Sequence, residues 1–221
     1  MKILLKACLM FLAGVVAISA MLFIPAGTLD YWQAQMYLAS IFLPMLFVLL
    51  YFLKNDPAFL ERRFKMKEKE KEQRLVQKLG APFYLIGILL PGLSVRFGWP
   101  MAPAEISIVA DAAVLLGYAI MFLVFRENSF AGRTIEVVKG QKVISTGLYA
   151  IIRHPMYLGM LLFSTATPIA LGSYAAVLFF LPMFPLIALR IRNEEEVLGR
   201  ELEGYEEYCK KVKWRLAPWI W

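Results

Sequence analysis

Arg153-His154-Pro155-Met156-Tyr157 and Arg190-Ile191-Arg192-Asn193-Glu194-Glu195-Glu196 stand at the two ends of a run, residues 158–189, that contains no charged side chain. The only histidine of the chain and a dense cluster of charge therefore bracket an apolar stretch. A soluble core accommodates such flanks poorly, because Arg and Glu are almost never fully buried unless paired. Folded back on itself in a membrane, the stretch brings both charged ends to one face. Residues 155–191 number 37, too many for one span of about 20 residues and slightly few for two ordinary ones. Leu171-Gly172-Ser173 is the expected turn, and Pro168, Pro182 and Pro185 predict short or kinked arms.

Outward from this hairpin the chain stays apolar. Of its 221 residues 60% are hydrophobic, and the mean hydropathy is +0.60, against about 45–50% apolar residues in a typical soluble domain. The runs are long and continuous, which predicts spanning helices rather than the alternating ten-residue strands of a membrane barrel. Further spans are expected at residues 7–25, 33–53, 81–98 and 106–125, the third interrupted by Pro91-Gly92. The first is longer than the 7–15 apolar residues of a signal peptide. The expectation is an all-α integral membrane protein, a helical bundle of about six spans: four plus the C-terminal hairpin.

The formal charge is +7, and all of the 24 lysines and arginines except Arg96 lie before the first span or in residues 54–80, 126–153 and 190–215. Loops rich in Lys and Arg stay cytosolic, so the protein is expected to be multi-pass with cytosolic N- and C-termini. Bases that flank lipid-soluble runs, rather than forming a compact basic domain, argue against nucleic acid as a partner and for membrane lipids. One histidine and two distant cysteines, Cys8 and Cys209, supply no zinc or haem ligand set and no expected disulfide. Residues 58–79 read as a basic cytosolic helix against headgroups, and 134–138 and 142–144 as short strands. Val197, Leu198, Leu202, Tyr205 and Cys209 mark one face of a further helix. Asp111 is an intramembrane acid, a functional suspect by default; its place away from the motif cluster favours a structural role.

Chemistry concentrates at the charged flanks. His154, just before Pro155, should sit at the mouth of a helix, where free backbone N–H groups attract anions. Arg190 and Glu194 stand four apart on a helix face, a pair worth about 0.3–0.5 kcal/mol if merely intrahelical. Three consecutive acids sweep about 200° of helix, so at least one must face the protein. With Tyr149, Tyr157, Tyr205 and Tyr208 nearby, the flanks suit a pocket for a cationic, partly aromatic small molecule.

The pattern Gly147-x-Tyr149-x-x-x-Arg153-His154-Pro155-x-Tyr157-x-Gly159, then Arg190-x-x-x-Glu194-Glu195-x-x-Leu198, Tyr205-x-x-Tyr208 and Arg215-x-x-Pro218, resembles the isoprenylcysteine carboxyl methyltransferase family. The resemblance extends to its prokaryotic members and phospholipid N-methyltransferase relatives, and covers residue 133 to the C-terminus. It implies an S-adenosylmethionine-dependent methyltransferase without a Rossmann core, and the chain has no G-x-G-x-x-G. Carried over by position, Gln141, Lys142, Val143, Ile144, Tyr149, His154, Pro155, Met156, Tyr157 and Glu194 would hold the cofactor in a cytosolic pocket. Eukaryotic members differ at residues 141–144, which puts backbone contacts ahead of side-chain ones there. Arg190 would meet a lipophilic acceptor arriving from the bilayer, and Arg190 and Glu195 are the expected catalytic residues, with no metal. Residues 1–125 then form an N-terminal transmembrane unit with its basic connector at 54–80, and 126–221 a catalytic region. The alternatives are a phosphatidylethanolamine-type N-methyltransferase, a non-catalytic lipid-binding membrane scaffold, and a sterol-reductase-like enzyme using a nicotinamide cofactor. The acceptor, whether prenylated peptide, phospholipid or small hydrophobic acid, is left open.

Overall fold

The computed structural model describes residues 2–64, 71–132, 134–135 and 137–221, without the side chains of 2, 3 and 71–73. Its elements are α1 Lys2–Ala26, α2 Trp32–Asn55, α3 Pro57–Arg63, α4 Lys71–Phe97, α5 Ala104–Glu127, a 3-10 turn Gly147–Ala150, α6 Pro155–Ala170, α7 Tyr174–Phe180, α8 Met183–Glu201 and α9 Tyr205–Lys211. Among the described residues, five segments are long and apolar enough to cross a membrane: Leu4–Ala26, Trp32–Asn55, Arg74–Phe97, Ala104–Glu127 and Tyr174–Glu201, the last made of α7 and α8. The protein is a multi-pass, all-helical integral membrane bundle, as its hydropathy predicts.

The hairpin's first arm, α6, has 16 residues and is about 24 Å long at 1.5 Å per residue, short of a hydrocarbon core of about 30 Å. It nevertheless reaches the far end of the bundle, because its tip lies beneath the far-side loops. The Tyr31 hydroxyl donates to the Leu171 carbonyl at 2.5 Å, the Ala102 N–H donates to the Gly172 carbonyl at 2.8 Å, and the Ser94 and Ser173 hydroxyls are 2.8 Å apart. Leu171 and Ser173 are completely buried. Gly172 turns the chain with φ +77°, a left-handed conformation that glycine adopts without a Cβ clash. The polar backbone of the turn is thus satisfied by protein, as a membrane interior demands.

Small residues set the spacing of two helix pairs. A Cβ on Gly117 of α5 would lie 2.8 Å from the Gly159 carbonyl oxygen of α6, and one on Gly92 of α4 would lie 2.5 Å from the Leu22 carbonyl oxygen of α1. Where apolar burial does not distinguish protein from lipid, such backbone approach holds helices together by van der Waals packing. α4 continues through Pro91-Gly92 as one helix, and Gly92 serves as a contact point with α1.

Three local expectations are corrected. The connector after α2 is not one headgroup helix: α3 covers only Pro57–Arg63, started by Pro57 and by an Asp56 side chain that accepts from the Phe59 N–H at 3.0 Å. Residues 65–70 of the connector lie outside the described residues, and from Lys71 the chain is already α4. The described residues of 134–144 form turns and coil rather than strands, with the Gln141 N–H donating to the Val138 carbonyl; Arg133 and Glu136 lie outside them. The helix expected across residues 197–209 breaks at Gly204, φ +82°, into α8 and α9.

Asp111 is buried in α5 and accepts a hydrogen bond from the Ser40 hydroxyl of α2. Ser40→Ala removes that donor and is expected to cost about 1–3 kcal/mol, read as a lower unfolding midpoint in detergent. An unchanged midpoint would show that the bond to Ser40 does not support the α2–α5 contact.

Candidate functional site

The site forms where the mouth of α6, the end of α8 and the loop after α5 meet. Pro155 occupies the first position of α6, where its missing N–H costs nothing, and His154 precedes it with φ −126° and ψ 58°. This entry is paired with the C-terminal segment: the Arg153 N–H donates to the Trp214 carbonyl and the His154 N–H to the Arg215 carbonyl, both at 2.9 Å. The two flanks quoted at the outset do converge. Rotation of α8, set by Ile187 and Ile191 packing against Tyr157 and Leu161, turns Glu194 and Glu195 toward α6 and leaves Glu196 exposed.

The two inward acids have different neighbours. The hydroxyl of Tyr157, a residue that is 1% exposed, donates to the Glu194 carboxylate and accepts from Arg190 Nε at 2.9 Å. One phenol therefore bridges the Arg190 and Glu194 side chains across a helical turn. Glu195 belongs to a second group: its Oε1 lies 3.2 Å from His154 Nε2 and 3.2 Å from Arg153 Nε, and its Oε2 accepts from Arg215 Nε at 2.7 Å. A carboxylate only accepts, so the imidazole nitrogen facing it is the donor.

In front of the Arg190–Tyr157–Glu194 group lies a hollow of about 820 Å³, counting the part open to solvent. Of the residues expected from sequence, Gln141, Lys142, Val143, Ile144, Tyr149, His154, Met156, Tyr157, Arg190 and Glu194 line it. Pro155 and Glu195 do not; Pro155 shapes the entry of α6, and Glu195 lies behind His154. The roof is Leu198, Leu202, Tyr205 and Tyr208. Tyr208 donates to the Tyr149 carbonyl at 2.8 Å, and the Tyr149 hydroxyl accepts from Asn128 Nδ2 at 3.1 Å. Burial, with a smaller contribution from the nearby Glu194 charge, holds the Tyr149 hydroxyl well above the usual phenol range against the opposing Asn128 bond, so it stays neutral.

Sequence reasoning missed one wall entirely. Asn128, Phe130, Ala131, Gly132, Thr134 and Ile135, in the loop after α5, line the hollow. The available signal was the drop in hydropathy at Arg126-Glu127-Asn128, which marks a loop without saying what it faces. Arg215, quoted in the motif but given no role, holds Glu195.

Chemically, the hollow offers a carboxylate among aromatic rings, suited to a cationic group, beside guanidinium and ammonium groups suited to an anionic one. The Tyr205 hydroxyl, buried in the roof, has no hydrogen-bond partner among the described residues, an arrangement that suits a polar ligand in the hollow. No three His, Cys, Asp or Glu side chains gather as a metal site among the described residues.

The model of the isoprenylcysteine carboxyl methyltransferase (ICMT) family matches residues 108–200, a region that contains α6, α7, most of α5 and nearly all of α8. The chain is 32% identical over 107 residues to a Delta(14)-sterol reductase of Mus musculus, an alignment covering 44% of this chain and 25% of the relative. It is 34% identical over 76 residues to a protein-S-isoprenylcysteine O-methyltransferase of Schizosaccharomyces pombe, covering 34% of this chain and 32% of the relative. The chain thus spans about a quarter to a third of the length of these two relatives.

Proposed function

With residues 108–200 carrying the pattern of the isoprenylcysteine carboxyl methyltransferase family, we propose that this protein is an S-adenosylmethionine-dependent methyltransferase that esterifies the carboxylate of a lipophilic acceptor at the membrane face. The observation that carries the proposal is the division of labour between the two acids: Glu194 faces the hollow beside Arg190 and Tyr157, whereas Glu195 is engaged by His154, Arg153 and Arg215. A carboxylate acceptor, with a pKa near about 4, is already ionised at pH 7 and needs no base, whereas an amine must first lose a proton. The acid expected to serve as base is the one committed elsewhere. This favours ester formation over N-methylation and gives Glu195 a holding role.

Bound in the hollow, S-adenosylmethionine supplies a methyl group on a sulfonium centre. Glu194 and the surrounding tyrosine rings hold its cationic end, and Lys142, Arg153 and the N-terminal end of α6 at Met156 hold its carboxylate. Gln141, Val143, Ile144 and Tyr149 form the wall for the nucleoside. Arg190 supplies the positive charge that draws the acceptor carboxylate and aligns its oxygen for in-line attack. Tyr157 orients both Arg190 and Glu194, so donor and acceptor share one hydrogen-bonded frame. The hollow opens on the side where lysines and arginines concentrate, which supports a cytosolic site and cytosolic termini.

The test uses vesicles from cells that make the protein, supplied with methyl-labelled S-adenosylmethionine. Ester formation predicts label in the lipid-soluble fraction that mild base releases as methanol. Label that resists base would mark an N-methyl product and overturn the ester reading. Because a sterol reductase is among the relatives, titrations with adenosylhomocysteine and with a reduced nicotinamide dinucleotide belong beside it; binding of only the second would overturn the transferase reading.

A further inference from the structure

The wall that sequence reasoning missed is held from the N-terminal part of the chain. Arg62 Nε and Nη2 both donate to the Ser129 carbonyl, at 3.2 and 2.8 Å, and Arg63 Nη1 donates to the Ala131 and Gly132 carbonyls at 3.3 and 3.2 Å. Three of the peptide carbonyls in the 128–132 loop are therefore bound by two consecutive arginines from a helix 67–69 residues earlier in the chain.

The arginines are themselves fixed. The Arg63 guanidinium sits over the Phe125 ring, 4.4 Å from its centroid, and 6.0 Å from that of Phe59. Arg62 lies 3.6 Å from Asp56 Oδ2, the carboxylate that also caps the start of α3. Phe52, Phe59 and Leu60 are buried together, with Phe122 and Phe125 of α5 packed against them. The base of α3 and the end of α5 are thus one packed unit, and the arginines carry its position to the loop.

On the other side of the loop, Asn128 both accepts from the Phe130 N–H at 3.0 Å and donates to the Tyr149 hydroxyl. Carbonyls engaged by Arg62 and Arg63 cannot rotate without breaking charge-assisted bonds, so Asn128, Phe130 and Gly132 keep one arrangement toward the hollow.

We propose that Arg62 and Arg63 are positioning residues for the methyl-donor pocket, acting through the carbonyls of Ser129, Ala131 and Gly132. Residues 57–63 lie outside the region matched by the family model, so the donor wall depends on a part of the chain that the family pattern does not cover. The proposal rests on the methyltransferase reading above.

The test compares wild type, the Arg62→Ala/Arg63→Ala pair and the Arg62→Lys/Arg63→Lys pair in the vesicle assay, with adenosylhomocysteine titrated into purified protein. The alanine pair is expected to raise the adenosylhomocysteine Kd and the donor KM about tenfold or more, with kcat within about twofold of wild type. The lysine pair, which keeps the charge and one donor nitrogen per side chain, should recover most of that loss. Should the alanine pair fail to fold, the lysine pair decides: a rise of about threefold in Kd is expected because an ammonium lacks the planar guanidinium that Arg62 directs through two nitrogens at Ser129 and that Arg63 lays over Phe125. An unchanged Kd, or a fall in kcat at unchanged KM, overturns the proposal. Wild-type protein that does not bind adenosylhomocysteine refutes the donor reading instead. Amide exchange at residues 128–132 then still tests the grip, since it should rise in the alanine pair and an unaltered rate overturns it.

Discussion

Glu194→Gln should lower methyl transfer about 100-fold or more, with most of the loss in the donor KM. The substitution keeps the shape and lets the Tyr157 hydroxyl still donate to the side chain, but it removes a carboxylate that, among the described residues, faces the hollow beside Arg190. On the proposed assignment, a charge-assisted contact to the donor's cationic end is then lost. Removing one charge of a desolvated, hydrogen-bonded contact between protein and ligand costs about 2–5 kcal/mol. Tyr157→Phe separates orientation from charge: it retains Glu194 and Arg190 but removes the hydroxyl between them, and a loss nearer tenfold is expected. Initial rates against donor concentration, with adenosylhomocysteine titrations, measure both. Wild-type donor affinity in Glu194→Gln would sink the assignment of the cationic end to this acid.

The second large effect falls far from any charge. Gly117→Val places a branched side chain where even a Cβ would come 2.8 Å from the Gly159 carbonyl oxygen and 2.9 Å from the Phe163 nitrogen. Both are backbone atoms, so no side chain can swing aside and α6 must move off α5. Overpacking costs about 1–3 kcal/mol, occasionally more, and the upper end is expected where the atoms met are backbone. Because α6 carries His154 and Tyr157 at its mouth, ligand binding should disappear together with stability. The expected observation is a large fall in the detergent unfolding midpoint with little folded protein recovered; retention of the wild-type midpoint would refute the close α5–α6 approach. Gly199→Ala is a suitable control, since a Cβ there meets nothing within 4 Å.

How legible the molecule was depends on the range of the interaction concerned. The spans follow from local hydropathy, and α2 and α5 run within a few residues of the apolar stretches that predict them. The mouth of α6 follows from the His154-Pro155 step, because proline restricts its own backbone and that of its predecessor. Most residues expected around the donor do line one hollow, although their roles are proposals that the experiments above address. The connector was harder, since the cations of 54–80 read as a single surface helix; capping by Asp56 and the Phe52–Phe59–Phe125 packing instead confine α3 to seven residues.

By itself the sequence determined that this is a helical membrane protein whose lysines and arginines concentrate in alternate loops, with a polar cluster at both ends of a final hairpin. Those properties depend on composition and short spacing, which the chain carries locally. Only the tertiary structure decided which of three adjacent acids faces the hollow, that α6 can be short because its tip is sheltered, and that Arg62 and Arg63 hold a wall 67–69 residues away. Each depends on how helices are rotated and stacked, which large side chains and glycine contacts set at long range, and no spacing along the chain encodes that rotation.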